Sequence, residues 1–365
     1  MNCPPLPLGG PRAFTTGAHL ARVQRRDGMI PWAPGLHADP WNHVEAAMAL
    51  DLAGFHGEAE AAYRWVRDIQ NVDGSFATYY LSSAPGGIED AKRDTNVCAY
   101  IATGTLHHLL VTGDVGFAES LWPTVERAVD FVTGHMLETG AVAWAVEAEG
   151  SVVIAGPSGQ RALLTGSSSA YHSLRCAVAL AESLGRERPD WELAAGRLAT
   201  AVAFREDEVF EPKRAWAMDW YYPVLCGAVS GDAGRARLSA RWGEFVGEGL
   251  GVRCIFDHEW YTGAETAECA MAHAAVGEFE KARALLQWAQ RLRHSDGGYW
   301  TGLVEPMGKT FPFRERSTYT GAAMILADDC LFGEGPASGI FRGEGLPCGL
   351  DLDLTALAQA ELDRD

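Results

Sequence analysis

Carboxylate and aromatic side chains concentrate in six short segments that are spread along the whole chain. Each segment runs into a stretch of small apolar residues, and the segments recur at intervals of roughly 40 to 75 residues, which indicates repeated helical units. Two carboxyl groups that flank one substrate bond can act as general acid and general base, while aromatic rings offer flat faces to a ligand. The six segments are Asp39–His43, Glu89–Asp94, Leu164–Ser169, Ala217–Tyr222, Glu259–Glu265 and Arg314–Tyr319.

The stretches that follow these segments have the pattern of buried helices. Each is apolar on nearly every face and is paired with a helix that carries one apolar stripe. This alternation predicts an all-α (α/α)6 toroid, with six inner and about six outer helices and short β-hairpin-like rim turns; an open helical solenoid is the alternative. The predicted inner helices are Trp41–Phe55, Asn96–Val111, Ser169–Leu184, Tyr221–Val229, Glu265–Val276 and Thr318–Leu331.

The predicted outer helices complete the ring, and the toroid would bring the six polar segments to one rim. We expect one toroid domain over residues 1–335, closed by an N-terminal helix at 15–26, and a C-terminal extension at 336–365. The predicted outer helices are Thr15–Arg26, Glu58–Gln70, Phe117–Met136, Trp191–Phe204, Ala233–Val246 and Phe279–Leu292.

Composition restricts the partners of the chain. It has 365 residues and a net charge of −18, which argues against a nucleic-acid partner and is compatible with a neutral or cationic small molecule or oligosaccharide. No run of eighteen apolar residues is present, so we expect no membrane span. The N-terminus lacks the apolar region of a secretory signal, and the eight cysteines lack zinc-site spacing. These features predict a cytoplasmic protein with reduced cysteines.

The chain resembles glucoamylase-like glycoside hydrolases in three stretches, namely residues 41–50, the turn at 70–76 and residues 112–131. The first is similar to the Trp-x-Arg-Asp helix of that family, although Asn42, His43 and Val44 stand in place of its Arg-Asp, with Glu45 one place later. The resemblance implies a toroid that acts on carbohydrates with paired carboxylates. The turn at 70–76 also resembles the QW motif of squalene cyclases and prenyltransferase-like toroids, which implies an isoprenoid or natural-product substrate as the alternative. The Asp-x-Asp-Asp acid of those cyclases is absent from the sequence.

Three residues are the candidates for catalysis. By the resemblance, Glu305 occupies the loop of the general base, and Glu147 lies where the family carries its acid, with Glu149 as a competing choice. Asp219 is chosen for its own surroundings, because it lies in the densest cluster of aromatic and acidic residues in the chain. The alternatives are a solvated loop position for Glu305 and a helix N-cap for Asp219.

A larger set is predicted to bind substrate at the rim. Several members have structural alternatives: a helix cap for Glu45 and Asp94, a helix-dipole role for Glu265, and a hydroxyl-rich helix start around Tyr171. The residues of this set are Asp39, Trp41, Asn42, His43, Glu45, Arg93, Asp94, Tyr171, His172, Trp220, Tyr221, Glu265 and Trp300.

The histidines leave further chemistry open. His43 and His172 permit a sugar epimerase or lyase with an imidazole base, and a binding toroid without catalysis is another alternative. No His-Glu-x-x-His pair or convincing metal triad is present, so we expect neither a metal nor a cofactor.

Overall fold

The computed structural model describes residues 11–84 and 86–347, and helices dominate them. Six inner helices, one of them made of two consecutive segments, follow the polar segments of the sequence. They are largely buried because they are apolar on most faces. These are α2 (Pro40–Leu52), the consecutive α4 (Thr95–Ala99) and α5 (Ile101–Thr112), α7 (Leu164–Ser183), α10 (Ala217–Leu225), α13 (Gly263–Ala275) and α15 (Thr318–Phe332).

These buried helices form a closed ring. Each packs against the next in chain order, and α15 packs against α2, so the prediction of a toroid is confirmed and the open solenoid is not observed. The amphipathic helices lie outside this ring, and α1 contacts both α15 and α2, at the position predicted for the N-terminal helix. The remaining helices are α1 (Pro11–Val23), α3 (His56–Asp68), α6 (Val115–Gly134), α8 (Pro189–Phe204), α9 (Glu206–Val209), α11 (Gly231–Ala240), α12 (Trp242–Phe245) and α14 (Phe279–Ala289).

Small residues allow the helices to approach closely. A Cβ atom on Gly104 in α5 would lie 2.3 Å from Val44 Cγ1 of α2 and 2.9 Å from the Tyr63 ring of α3. The Tyr63 hydroxyl donates to the Gly104 carbonyl at 3.0 Å. This glycine therefore lies where the inner helices α2 and α5 contact the outer helix α3.

The rim carries more β-structure than the predicted hairpin turns. The loops that precede α13 and α15 share an antiparallel sheet in the order β5-β6-β7-β8-β9. Its strands have only two or three residues, which is too short for an alternating pattern to be visible in the sequence. They are β5 (Val246–Gly247), β6 (Gly251–Arg253), β7 (Trp260–Thr262), β8 (Gly302–Val304) and β9 (Lys309–Thr310); elsewhere β1 (Tyr79–Tyr80) pairs with β2 (Ile88–Asp90), and β3 (Arg93–Asp94) with β4 (Ala145–Val146).

Two inner helices begin four or five residues earlier than predicted. The helix α7 starts at Leu164 instead of Ser169, and α10 starts at Ala217 instead of Tyr221. The hydroxyl-rich first turn of α7 has a loop-like sequence, yet its Ser167 and Ser168 are buried between neighbouring helices.

The end of the ring opposite the polar segments is closed by a 3-10 helix, Pro336–Arg342, which packs against α5, α13 and α15. The guanidinium of Arg175 in α7 donates to the carbonyl oxygens of Gly343, Leu346 and Pro347 and fixes the chain that follows. Most of the predicted C-terminal extension, from Cys348 onward, lies outside the described residues, as does Cys3. The other six cysteines are buried free thiols, as predicted. In the part of the chain described here, no helix is long and apolar enough to cross a membrane.

Candidate active site

The first wall of the rim is built by the N-terminus of α2. Asp39 caps this helix: one carboxylate oxygen accepts the Asn42 amide N–H at 2.9 Å, and the other accepts the Asn42 side-chain N–H at 2.7 Å. Asp39 is only 4 % exposed, and burial raises the pKa of its carboxyl group. Both of its oxygens are therefore already engaged in fixing the helix start and Asn42.

The neighbouring wall of the rim is the N-terminus of α4, and an aspartate caps this helix as well. Asp94 caps α4 by accepting the backbone N–H groups of Asn96 at 2.9 Å and Val97 at 3.3 Å, and its second oxygen accepts the Trp144 indole N–H at 2.8 Å. Burial raises the pKa of Asp94 to about 6, against the lowering effect of these donors. The predicted cap role of Asp94 is thus confirmed.

Asp219 differs from both caps. It lies in the first turn of α10, whose N-cap is Trp216, so it is not the helix cap that was the alternative to a functional role. Among the described residues its carboxylate is bonded only to Thr165, whose hydroxyl donates to one oxygen at 2.7 Å. Burial raises the pKa of Asp219 to about 6. The residue lines a pocket of about 460 Å³, large enough for a sugar unit, together with Glu206, Trp220 and Arg237.

Glu265 lies on the next helix of the ring, in the first turn of α13, which packs beside α10. It is 9 % exposed, and the thiol of Cys254, directly after β6, is its hydrogen-bonding neighbour. Glu265 caps no helix, since the N-cap of α13 is Thr262. Asp219 and Glu265 are thus two buried acids on adjacent walls that are not consumed by helix capping.

A second acidic pair lies one to two helical turns deeper. Glu45 Oε1 accepts the Trp41 indole N–H at 3.0 Å and the Tyr100 hydroxyl at 2.8 Å. Glu268 accepts the hydroxyls of Tyr222 at 2.9 Å and Tyr319 at 2.6 Å and also that of Tyr221. Burial raises the pKa of both carboxyl groups. The alternative in which Glu45 caps its own helix is wrong, because Asp39 is the cap and Glu45 points to the centre of the ring.

Several predicted residues have structural partners. Both ring nitrogens of His43 bond to backbone groups, those of Ile30 and Ala62, and burial lowers its pKa to about 4. His172 stacks on Phe341 at 5.3 Å. The Trp220 ring stacks on Phe245 at 5.1 Å, and its indole N–H donates to a backbone carbonyl.

Other predicted residues have contacts that do not involve Asp39, Asp94, Asp219 or Glu265. Glu305 is paired with Arg291 at the C-terminal end of an outer helix, and the backbone carbonyl of Glu147 accepts Arg93. The Trp300 ring is half-buried beside His294 at a centroid distance of 5.4 Å. Tyr171 is buried beneath the Arg175 guanidinium. The catalytic roles assigned to Glu305, Asp219 and Glu147 stay predictions.

The sequence reasoning missed the hydroxyl and indole donors around the acids. Tyr100, Trp144 and Thr165 each bond to an acid at least 50 residues away along the chain. Because such pairs depend on the packing of neighbouring helical units against each other, no local spacing could have revealed them.

Exposed apolar side chains surround the mouth. Of the fourteen large apolar side chains that are exposed among the described residues, ten lie in the loops that precede the inner helices, so the polar site has an apolar border. These are Leu36, Val72, Tyr79, Ile88, Ile154, Trp216, Phe256, Met307, Phe311 and Phe313.

Comparison with known proteins gives consistent results. No protein-family model matches the chain. The chain is 49 % identical over 338 residues to the "MMP endo-(1,4)-3-O-methyl-alpha-D-mannosidase" of Mycolicibacterium hassiacum. The matched stretch covers 92 % of this chain and 90 % of that protein. Among solved structures, a wild-type glycosidase matches with a TM-score of 0.67, 16 % identity and coverage of 92 % of this chain and 97 % of the other. The "GH63 mannosylglycerate hydrolase" of Thermus thermophilus in complex with glucose matches with a TM-score of 0.62, 14 % identity and coverage of 87 % and 99 %.

Proposed function

We propose that this chain, which belongs to the six-hairpin glycoside hydrolases, cleaves α-(1,4) bonds inside chains of 3-O-methylmannose. The observation that carries the substrate is the 49 % identity to a 3-O-methyl-alpha-D-mannosidase over nearly the whole of both chains. The expectation of a glycosidase is confirmed by the same relative, whereas the isoprenoid alternative finds no support in it.

The border of the site supports a methylated substrate. Replacing a sugar hydroxyl by a methoxy group removes a hydrogen-bond donor and adds apolar surface, which favours contact with apolar side chains. Trp216 is 44 % exposed and Phe313 is 82 % exposed, and both lie in mouth loops. Apolar side chains in several of the mouth loops also suit a chain of sugars better than a single sugar, in keeping with cleavage inside a chain.

We assign the acid and base roles by the hydrogen bonds that each carboxylate has left to make. Asp219 would be the general acid, because its raised pKa keeps it protonated under mildly acidic conditions and its carboxylate is bonded only to Thr165 among the described residues. Glu265 on the adjacent helix would be the general base or nucleophile. Asp219 would protonate the leaving oxygen as the glycosidic bond breaks. Glu265 would either take a proton from the water that attacks the sugar carbon, or attack that carbon itself, after which water releases the sugar.

The capping acids would hold the sugar. Asp39 fixes Asn42, whose side chain then presents its carbonyl oxygen to the mouth, and Trp41 offers a half-buried ring. We propose Asp39, Trp41, Asn42 and Asp94 as sugar-binding residues. Glu305 is less suited to catalysis, because Arg291 neutralises its charge.

We also propose the finer description of the architecture. Six inner and six outer helices would form an (α/α)6 toroid in one domain over residues 1–335, followed by the extension at 336–365. A cytoplasmic location is proposed from the reduced cysteines and stays a prediction.

The test uses two α-(1,4)-mannose oligosaccharides of equal length, one 3-O-methylated and one unmethylated. Wild-type protein should release shorter methylated oligosaccharides, detected by mass spectrometry. It should favour the methylated chain in kcat/KM by about fourfold for each subsite that buries a methyl group, from about 0.8 kcal/mol per buried carbon. Equal hydrolysis of both chains, or release of single sugars only from one end, would contradict the proposal.

A further inference from the structure

The deep acidic pair borders a small cavity on the axis of the ring. Glu45, Ser169, His172 and Glu268 line it, and its free volume of about 10 Å³ is sufficient for about one water molecule. Three buried atoms of these residues have no hydrogen-bond partner among the described residues, namely Glu45 Oε2, Ser169 Oγ and His172 Nε2. All three residues are at most 4 % exposed. Three orphaned polar atoms around one cavity indicate that a small polar species bridges them, because buried polar groups are almost always hydrogen-bonded.

The hydrogen bonds distinguish the two acids. Glu268 receives three tyrosine hydroxyls, from Tyr221, Tyr222 and Tyr319, and a carboxylate that accepts several donors is stabilised in its ionised form. Glu45 receives two donors, both on Oε1, and none on Oε2. Oε2 is therefore the position at which a proton costs no existing hydrogen bond.

The charges around the pair oppose a second ionisation. On the acidic side are Glu265, one turn above Glu268, and Asp39 at the mouth. On the basic side, α7 contributes neutral His172, whose pKa burial lowers to about 3, and Arg175, which is engaged by three backbone carbonyls. The remaining groups are buried thiols whose pKa values burial raises, so they stay neutral: Cys176, Cys226, Cys254 and Cys269. Two adjacent negative charges would therefore lack adequate compensation.

We propose that Glu45 and Glu268 form a dyad that holds a proton on Glu45 Oε2, and that a cavity water bridges this acid to Ser169 and His172. Glu45 is a positioning residue, since it acts through the indole of Trp41 and not on the substrate. This role rests on the proposed function, whereas the protonated state of Glu45 can be tested without substrate.

The effect on the site follows from the hydrogen bonds. Glu45 Oε1 holds the indole of Trp41, which we propose as a sugar-binding residue, so loss of this acceptor should raise KM more than it lowers kcat. In Glu45→Leu the acceptor is lost and KM should rise. In Glu45→Gln the amide replaces a neutral acid of the same shape and keeps the bonds to Trp41 and Tyr100, so KM should remain close to that of the wild type.

Two measurements test the proposal. Infrared difference spectra between wild type and Glu45→Gln at neutral pH should show the carbonyl stretch of a protonated carboxylic acid in the wild type only, with or without activity; its absence would overturn the dyad. In the kinetics, an equal rise of KM in Glu45→Gln and Glu45→Leu would overturn the positioning role of Glu45.

If Glu45→Leu does not fold, the infrared comparison alone decides. A protein that shows the infrared band but cleaves no methylmannoside refutes the proposed function and leaves the dyad intact.

Discussion

Replacement of Asp219 by Asn should abolish activity and at the same time stabilise the protein. Asp219 is 8 % exposed, and burial raises its pKa from 3.8 to about 6. Between these two values the unfolded chain releases the proton while the folded protein keeps it, so stability falls as the pH rises through this window. At about 1.36 kcal/mol per pKa unit, the folded state is destabilised by about 3 kcal/mol above pH 6 relative to pH below 3.8.

The Asn side chain removes this penalty and still accepts the Thr165 hydroxyl. With a melting entropy of about 2.1 cal/mol/K per residue, about 3 kcal/mol corresponds to a rise of about 4 °C in Tm. Calorimetry of the wild type and Asp219→Asn between pH 4 and pH 8 measures it. The gain should be present above about pH 6 and should vanish below about pH 4.

The matched control is Asp232→Asn, because the Asp232 side chain is 98 % exposed and should give no pH-dependent gain. A Tm for Asp219→Asn that is unchanged or lower above pH 6 would refute the reasoning, since it would mean that the ionised carboxylate is well solvated or paired. An active Asp219→Asn protein would refute the assignment of the general acid, and a loss of activity of about 10²- to 10⁴-fold is expected.

Three further results are expected. Glu265→Gln should lower kcat by at least about a hundredfold with little change in Tm, whereas Glu259→Gln, an exposed acid of the same loop, should retain activity. Asp94→Ala should destabilise the fold by about 1 kcal/mol through loss of the α4 cap, measured by denaturant unfolding, and Asp94→Asn should recover most of it; equal losses would contradict a cap role. Trp216→Ala should raise KM for long methylated oligosaccharides more than for short ones, and an equal rise for both would place Trp216 outside the substrate path.

The helical layers were predictable because their signal is local and repeated. Stretches such as Glu265–Val276 are apolar on nearly every face, and the observed α13 differs from that range by two residues or fewer at each end. The cap at Asp94 was also visible, since an acid directly before an apolar stretch is a common helix start.

The site was predictable only in outline. Asp219 and Glu265 belong to the segments that the sequence singled out. Distinguishing them from the acids that cap helices requires knowing which donors bond to each carboxylate. Thr165 and Asp219 are 54 residues apart, and Tyr100 and Glu45 are 55 residues apart, so only the packing of consecutive inner helices brings them together. The rim sheet was missed because each of its strands is shorter than one recognisable alternation.

The most direct test of the proposed site compares three variants on one substrate. A 3-O-methylated α-(1,4)-mannose oligosaccharide is incubated with Asp219→Asn, Glu265→Gln and Glu305→Gln, and the products are followed by mass spectrometry. We predict internal cleavage by the wild type and by Glu305→Gln, and none by the other two variants. Cleavage by both Asp219→Asn and Glu265→Gln at the wild-type rate, or its loss in Glu305→Gln alone, would contradict the assignment.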